Sequence, residues 1–279
     1  MIKIYRDHDD YVLENLERII RVQEFSLDAL FQANSPADYL TPFFESAHSE
    51  VIHQSPSEKH PWQAPVENQE IWAAGVTYMR SKSARMEESE QSGGDHFYDL
   101  VYEAKRPELF FKSTGSRARG HLAPVRIRKD SAWNVPEPEL TLALNSAGNI
   151  FGYTIGNDMS SRSIEGENPL YLPQAKIYRG SCAIGPCLVV GDVVSPNSKI
   201  SISISRLSQI VFQGDTSVSQ LKRSFHELAD YLFQENEFPC GAYLMTGTGI
   251  VPDAGFTLQS GDQIQIQIEG LGILENEVE

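Results

Sequence analysis

Basic residues are scarce in this 279-residue chain: 23 Lys and Arg stand against 38 Asp and Glu, a formal net charge of −15. The cations are scattered, and such a field repels phosphate backbones, so nucleic acid is excluded as an expected partner. An anionic small molecule is still admissible wherever a few cations line one pocket. Cysteine is scarce as well. Cys182, Cys187 and Cys240 form no CxxC pair and cannot all be bridged within one chain, which suits a reducing compartment and makes the cytoplasm the expected location. Long apolar runs are missing: none approaches the roughly 18 residues of a bilayer span. The first ten residues carry Lys3, Arg6 and three aspartates where a secretory signal needs an apolar stretch. A soluble protein with no membrane partner is the expectation.

What is present divides the chain. Over residues 9–33, Val12, Leu13, Leu16, Ile19, Ile20, Leu27, Leu30 and Phe31 follow the three-and-four spacing of amphipathic helices, which predicts a small helical N-terminal domain. Pro56, Pro61 and Pro65 fall among polar residues over 53–68, the composition of a connecting segment. The expected units are therefore 1–68 and 69–279. Beyond the boundary, the runs 140–144, 151–155, 200–204 and 264–268 alternate with period two between Gly and Pro punctuation, as strands do. One helix interrupts them, with Val218, Leu221, Phe225, Leu228 and Leu232 on a face and a cap at Thr216 or Ser217. The class is α+β and β-rich. Residues 79–99 are polar, with Gly93 and Gly94 paired, and read as a surface loop; Tyr78, Arg80, Arg85 and Glu88 make it a candidate lid.

The chemistry concentrates in one hairpin. In 135–144, Glu137 and Glu139 are two residues apart, so a strand aims both carboxylates at one face while Leu140, Leu142 and Leu144 take the other. They then lie about 6.6 Å apart along the backbone, near enough to share a cation. The turn 145–149 returns the chain through 151–158, bringing Asp158 within reach. Gly152, Thr154 and Gly156 share the parity of Asp158, which predicts an open face with room for a ligand. Three carboxylates without a neighbouring His or Cys favour a hard ion, Mg2+ or else Mn2+ or Ca2+, over zinc. A lone Glu-x-Glu is also what a solvent-facing hairpin shows, so spacing alone does not settle the matter.

The run 135–140 (Val-Pro-Glu-Pro-Glu-Leu), followed by 156–162 (Gly-Asn-Asp-Met-Ser-Ser-Arg), resembles the fumarylacetoacetate hydrolase superfamily. The resemblance extends from about Ile71 to the C-terminal strands. It implies that family's mixed β-roll or β-sandwich fold, a homodimer, and metal ligation by Glu137, Glu139 and Asp158. Segments 72–78, 106–112 and 164–176 look like the branch that contains 2-keto-3-deoxy sugar-acid dehydratases. Hydrolases and decarboxylases of the family carry Gly-x-x-Tyr-x-x-His; here Gly75 and Tyr78 are followed by Ser81. A hydroxyl is no proton acceptor near neutral pH unless something activates it, which argues against water-activated C–C hydrolysis.

The resemblance therefore implies an Mg2+-dependent dehydratase acting on a 2-oxo acid through a metal-chelated enolate. Lys176 matches the family's active-site lysine, with Glu108 and Glu88 as competing acid/base partners. The Gly-rich turn 246–252 resembles the segment that binds the substrate carboxylate, with Thr248 as the contact; Arg80, Ser81, Arg85, Tyr78 and Arg162 complete the substrate-binding set. An acylpyruvate hydrolase or 2-oxo acid decarboxylase on the same fold is the alternative enzyme, and a sugar-acid-binding module the alternative without turnover.

Overall fold

The computed structural model describes residues 1–46, 49–79 and 100–279. The expected N-terminal helices give way at first to a meander: β1 (Ile2–Asp7), β2 (Asp10–Glu14) and β3 (Ile19–Val22). Leu16, central to the supposed helical stripe, is 89% exposed at the tip of the β2–β3 turn, where the Asn15 side chain accepts the backbone N–H groups of Glu17 and Arg18. The apolar spacing had two sources. Val12 faces one core and Tyr11 and Leu13 the other, which is strand alternation with both faces covered. Among the described residues of this N-terminal stretch, helix is confined to α1 (Leu27–Gln32) and α2 (Pro36–Glu45), capped by Ser26 and Ser35.

After β4 (Glu50–Val51), the chain adds β5 (Glu70–Gly75), β6 (Glu108–Thr114), β7 (Asn134–Val135), β8 (Pro138–Leu144), β9 (Ile150–Asp158), β10 (Ser160–Ser161) and β11 (Cys182–Val190). Next come β12 (Lys199–Arg206), β13 (Gln209–Ser217), β14 (Ala242–Met245), β15 (Gln263–Ile268) and β16 (Gly272–Glu277). A ten-stranded sheet runs β4-β3-β2-β1-β11-β9-β8-β14-β5-β6, and a four-stranded one β13-β12-β15-β16. The N-terminal strands thus continue the main sheet, β1 pairing with β11.

The two sheets form a sandwich. Ile200, Ile202, Ile204, Ile264, Ile266 and Ile268 meet Leu140, Leu142, Leu144, Tyr153 and Ile155 in one core. The opposite face of the large sheet, with Ala143, Ile71, Ala73 and Tyr243, packs under α1 and α2 through Leu27, Leu30, Phe31 and Leu40. The predicted late helix begins later than its apolar face suggested. It spans Phe225–Phe233 with Ser224 accepting the Glu227 N–H, a Ser-x-x-Glu start, while 218–220 form a separate turn.

The large sheet curls. β6 lies four strands from β9 in the order, about 19 Å across a flat sheet at the usual strand spacing, yet Lys112 on β6 reaches Asp158 on β9. Beyond β6 the chain bonds to β11: the Arg119 N–H donates to the Cys182 carbonyl and the Ile184 N–H to the Arg119 carbonyl. This is the mixed roll implied by the resemblance, and it folds the far edge of the sheet over the hairpin carboxylates.

Candidate metal centre and active site

Pro136 and Pro138 bias Val135 and Glu137 to extended backbone, and Pro138 starts β8 at a position where no donor is required. Glu137 and Glu139 therefore share the face away from the sandwich core. On the return strand Gly156 pairs with Glu139, and the Asp158 N–H donates to the Glu137 carbonyl at 3.0 Å. One oxygen from each of Glu137, Glu139 and Asp158 falls within 4.8 Å of the others, and all three residues are buried. The open face predicted beside Asp158 is not there. A Cβ on Gly156 would stand 2.5 Å from Thr141 Oγ1, and one on Gly152 2.7 Å from the Val189 carbonyl; these glycines admit protein, not ligand.

Cations close the cluster. Lys176, last residue of the short helix Leu172–Lys176, donates to Glu137 Oε2 at 2.6 Å and Asp158 Oδ2 at 2.9 Å. Its ammonium lies 5.6 Å from the centre of the Phe110 ring. Arg162 donates to Glu137 Oε1 at 2.5 Å and lies 3.8 Å from Glu165, which also accepts the Ser160 hydroxyl. Gly247 donates its N–H to Glu139 at 2.6 Å. Its φ is +92°, and a Cβ there would fall 2.0 Å from Thr77 Oγ1, so only glycine brings that N–H to the carboxylate.

Burial first, then the charges of Asp158 and Glu137, push the Glu139 carboxyl well above its usual range; Lys176 and the Gly247 N–H offset only part. Burial and Glu139 raise the Tyr78 hydroxyl, and burial and Asp158 raise Tyr178. Three buried carboxylates of this kind are stable together when an ion joins them. An all-oxygen set without His or Cys fits a hard divalent cation.

The other expected residues fall into three groups. Glu108 pairs with Gly75 at the adjoining sheet end, on the same parity as Phe110, and its carboxylate occupies the space a Gly75 side chain would take. Tyr78 is buried against Gly249. Thr248 is buried beside Gly247, its hydroxyl exchanging hydrogen bonds with the Ile250 backbone. Arg80, Ser81, Arg85 and Glu88 lie outside the described residues. Sequence reasoning missed Lys112, Glu165 and Tyr178. For Lys112 a signal existed: a lysine closing the apolar run 109–111 in a strand. At 0% exposure it sits at a bulge, since Trp72 pairs with Phe111 and Ile71 with Ser113, and bulges re-aim side chains at sites.

Residues 71–279 match the family described as fumarylacetoacetate (FAA) hydrolase, C-terminal. The chain belongs to the fumarylacetoacetate hydrolase family. A probable 2-keto-3-deoxyxylonate dehydratase from Haloferax volcanii is 44% identical over 275 residues, 98% of this chain and 89% of that protein. The 2-dehydro-3-deoxy-D-arabinonate dehydratase of Saccharolobus solfataricus is 41% identical over 213 residues, 75% of this chain and 72% of that protein. Among solved structures of the fumarylacetoacetate hydrolase type, 2-keto-3-deoxy-D-arabinonate dehydratase complexed with magnesium and 2,5-dioxopentanoate superposes with a TM-score of 0.82 at 32% identity. That match covers 100% of this chain and 98% of the other. No helix among the described residues is long and apolar enough to cross a membrane.

Proposed function

We propose that this protein is an Mg2+-dependent dehydratase of a 2-keto-3-deoxy sugar acid. The observation that carries the reading is the buried trio Glu137, Glu139 and Asp158, with ligand oxygens within 4.8 Å and bridged by Lys176. Relatives named as dehydratases of such acids support the substrate class, and a related dehydratase holds magnesium.

Glu137, Glu139 and Asp158 would hold the ion, which supplies Lewis acidity to the carboxylate and 2-oxo oxygens of the substrate and so acidifies the C3–H bond. Lys176, whose ammonium sits between Glu137 and Asp158, would stabilise the negative charge that develops on the substrate as the C3 proton leaves. Glu108 and Glu88 are the acid/base candidates. One carboxylate must take the C3 proton, and an acid must protonate the C4 hydroxyl as it departs as water. Thr248 and its loop backbone receive the substrate carboxylate, while Tyr78, Arg80, Ser81, Arg85 and Arg162 frame the rest. Arg162, engaged with Glu137, contributes chiefly by holding that ligand.

A panel of 2-keto-3-deoxy acids and acylpyruvates, assayed with Mg2+ for dioxo-acid product against pyruvate release, tests the reading. EDTA abolishes turnover, and Glu139→Gln is not rescued by added Mg2+. Pyruvate release from acylpyruvates would make the chain a hydrolase; binding without any product would make it a binding module. The homodimer, the cytoplasmic location and the division at residue 68 belong to the same proposal. A solution mass near twice 31.2 kDa checks the first.

A further inference from the structure

Lys112 and Lys176 both touch Asp158, but they are held differently. Among the described residues, Lys176 Nζ bonds only to side-chain oxygens of two of the carboxylates, Glu137 Oε2 and Asp158 Oδ2, so its ammonium can shift when those carboxylates take up an ion. Lys112 Nζ donates to the backbone carbonyls of Met159 at 3.0 Å and Lys176 at 2.5 Å. It stands 2.5 Å from Asp158 Oδ1 as an ion pair, and among the described residues that oxygen accepts no hydrogen bond. With two main-chain anchors, no exposed surface and a bulged backbone position, Lys112 is held by main chain as well as by the carboxylate.

A fixed cation at Oδ1 repels a second cation from that same oxygen. We propose that Lys112 fixes Asp158 as a one-oxygen ligand through Oδ2 and thereby biases the centre toward Mg2+ or Mn2+ against Ca2+. Ca2+ accommodates six to eight oxygens and commonly takes a carboxylate through both, whereas Mg2+ demands near-octahedral geometry from single oxygens and waters. Arg162 on Glu137 Oε1 acts in the same sense, a cation placed against one oxygen of its carboxylate. Lys112 is thus a positioning residue, and its role rests on the reading that the trio holds a divalent ion.

The test is metal binding, read without turnover. Mn2+ bound to the full-length protein is counted by electron paramagnetic resonance and then displaced with Mg2+ or Ca2+, for wild type, Lys112→Met and Lys112→Gln. Near-ultraviolet circular dichroism checks each fold. Wild type binds one Mn2+ per chain and favours Mg2+; in both variants the Mg2+/Ca2+ preference falls at least fivefold. An unchanged preference, or equal weakening for both ions, overturns the proposal. Failure of wild type to bind Mn2+ removes the metal reading itself and this inference with it. Should neither variant fold, a structure of Mn2+-loaded wild type decides: both Asp158 oxygens on the ion would refute the role of Lys112.

Discussion

Replacing Gly75 by alanine tests Glu108 without altering Glu108. Gly75 ends β5 opposite Glu108, and its φ is not among the positive ones, so the backbone accepts alanine. The new Cβ would lie 1.9 Å from Glu108 Oε2, 2.6 Å from Cδ and 3.3 Å from Cγ. Ordinary contact begins at 3.4 Å, so the carboxylate end must swing by about 1.5 Å (3.4 − 1.9). The obstacle is the far end of a flexible side chain, so the cost to folding is small, and the lower entropy of an unfolded alanine offsets about 0.4–1 kcal/mol of it. Misplacing a catalytic group by about 1 Å costs on the order of 10²-fold, and general acid–base catalysis is worth roughly 10²–10⁴-fold, or about 2.7–5.5 kcal/mol of barrier. The expected outcome for Gly75→Ala is therefore a kcat lowered by about 10²-fold or more, matching Glu108→Gln. Mn2+ affinity should be unchanged, and Tm should stay within roughly 4 °C of wild type. Steady-state kinetics, a Mn2+ titration and a thermal melt on the same preparation read the three. A kcat within threefold of wild type, in a variant whose structure shows Glu108 displaced, would refute Glu108 as the acid/base group.

Gly247→Ala forces a Cβ 2.0 Å from Thr77 Oγ1 and 3.0 Å from the Ala74 carbonyl at φ +92°. Strain and overpacking together predict a loss of about 3 kcal/mol or more in chemical denaturation, with weaker Mn2+ binding as the Glu139 contact shifts. Burial pushes the Cys182 and Cys187 thiols up to about 12, so a disulfide-exchange reagent at pH 8 titrates only the half-buried Cys240 in native protein and all three thiols in denaturant; fast reaction of two would contradict that. Burial raises the Asp7 carboxyl, but hydrogen bonds from His8, Arg21 and His60 outweigh it and hold the group below its usual range. A depressed acid stabilises above its unfolded pKa of about 3.9 and loses that contribution as pH falls through the folded value. Asp7→Asn thus costs about 1 kcal/mol at pH 7, a gap that closes toward pH 3 in parallel urea titrations.

The hairpin was legible because its information is local. Glu137, Glu139 and Asp158 come together through strand parity, one turn and two prolines, all within 22 residues (158 − 137 + 1), and the register Glu139 to Gly156 follows. The isoleucine ladders of β12 and β15 were equally plain, since one face is buried and the other carries Ser or Gln. The first 22 residues misled for a physical reason. A strand buried on both faces yields consecutive apolar residues, and with an apolar turn tip, Leu16, these mimic a helical stripe. The glycines of β9 were read as vacancy, although a residue without a side chain equally permits close approach by protein, as Thr141 and Val189 show.

Lys112 stayed out of reach because its role is set by curvature. In a flat sheet β6 and β9 are about 19 Å apart and their side chains never meet. Only the curl, closed by the hydrogen bonds of Arg119 to β11, lays Phe110 and Lys112 over the carboxylates. A lysine at the end of an apolar strand run signals that something anionic waits inside the fold, because an unpaired buried ammonium is too costly to keep. The sequence contained that half of the pair and, 46 residues later (158 − 112), the other half. Between them in the sheet stand β8, β14 and β5, one of which, β14 at Ala242–Met245, comes from chain far beyond both. The ligand trio is thus a product of one hairpin, Arg162 and Lys176 come from the chain just after it, and Lys112 alone depends on the roll, so substitutions that flatten the curl should degrade the metal centre before they unfold the sandwich core.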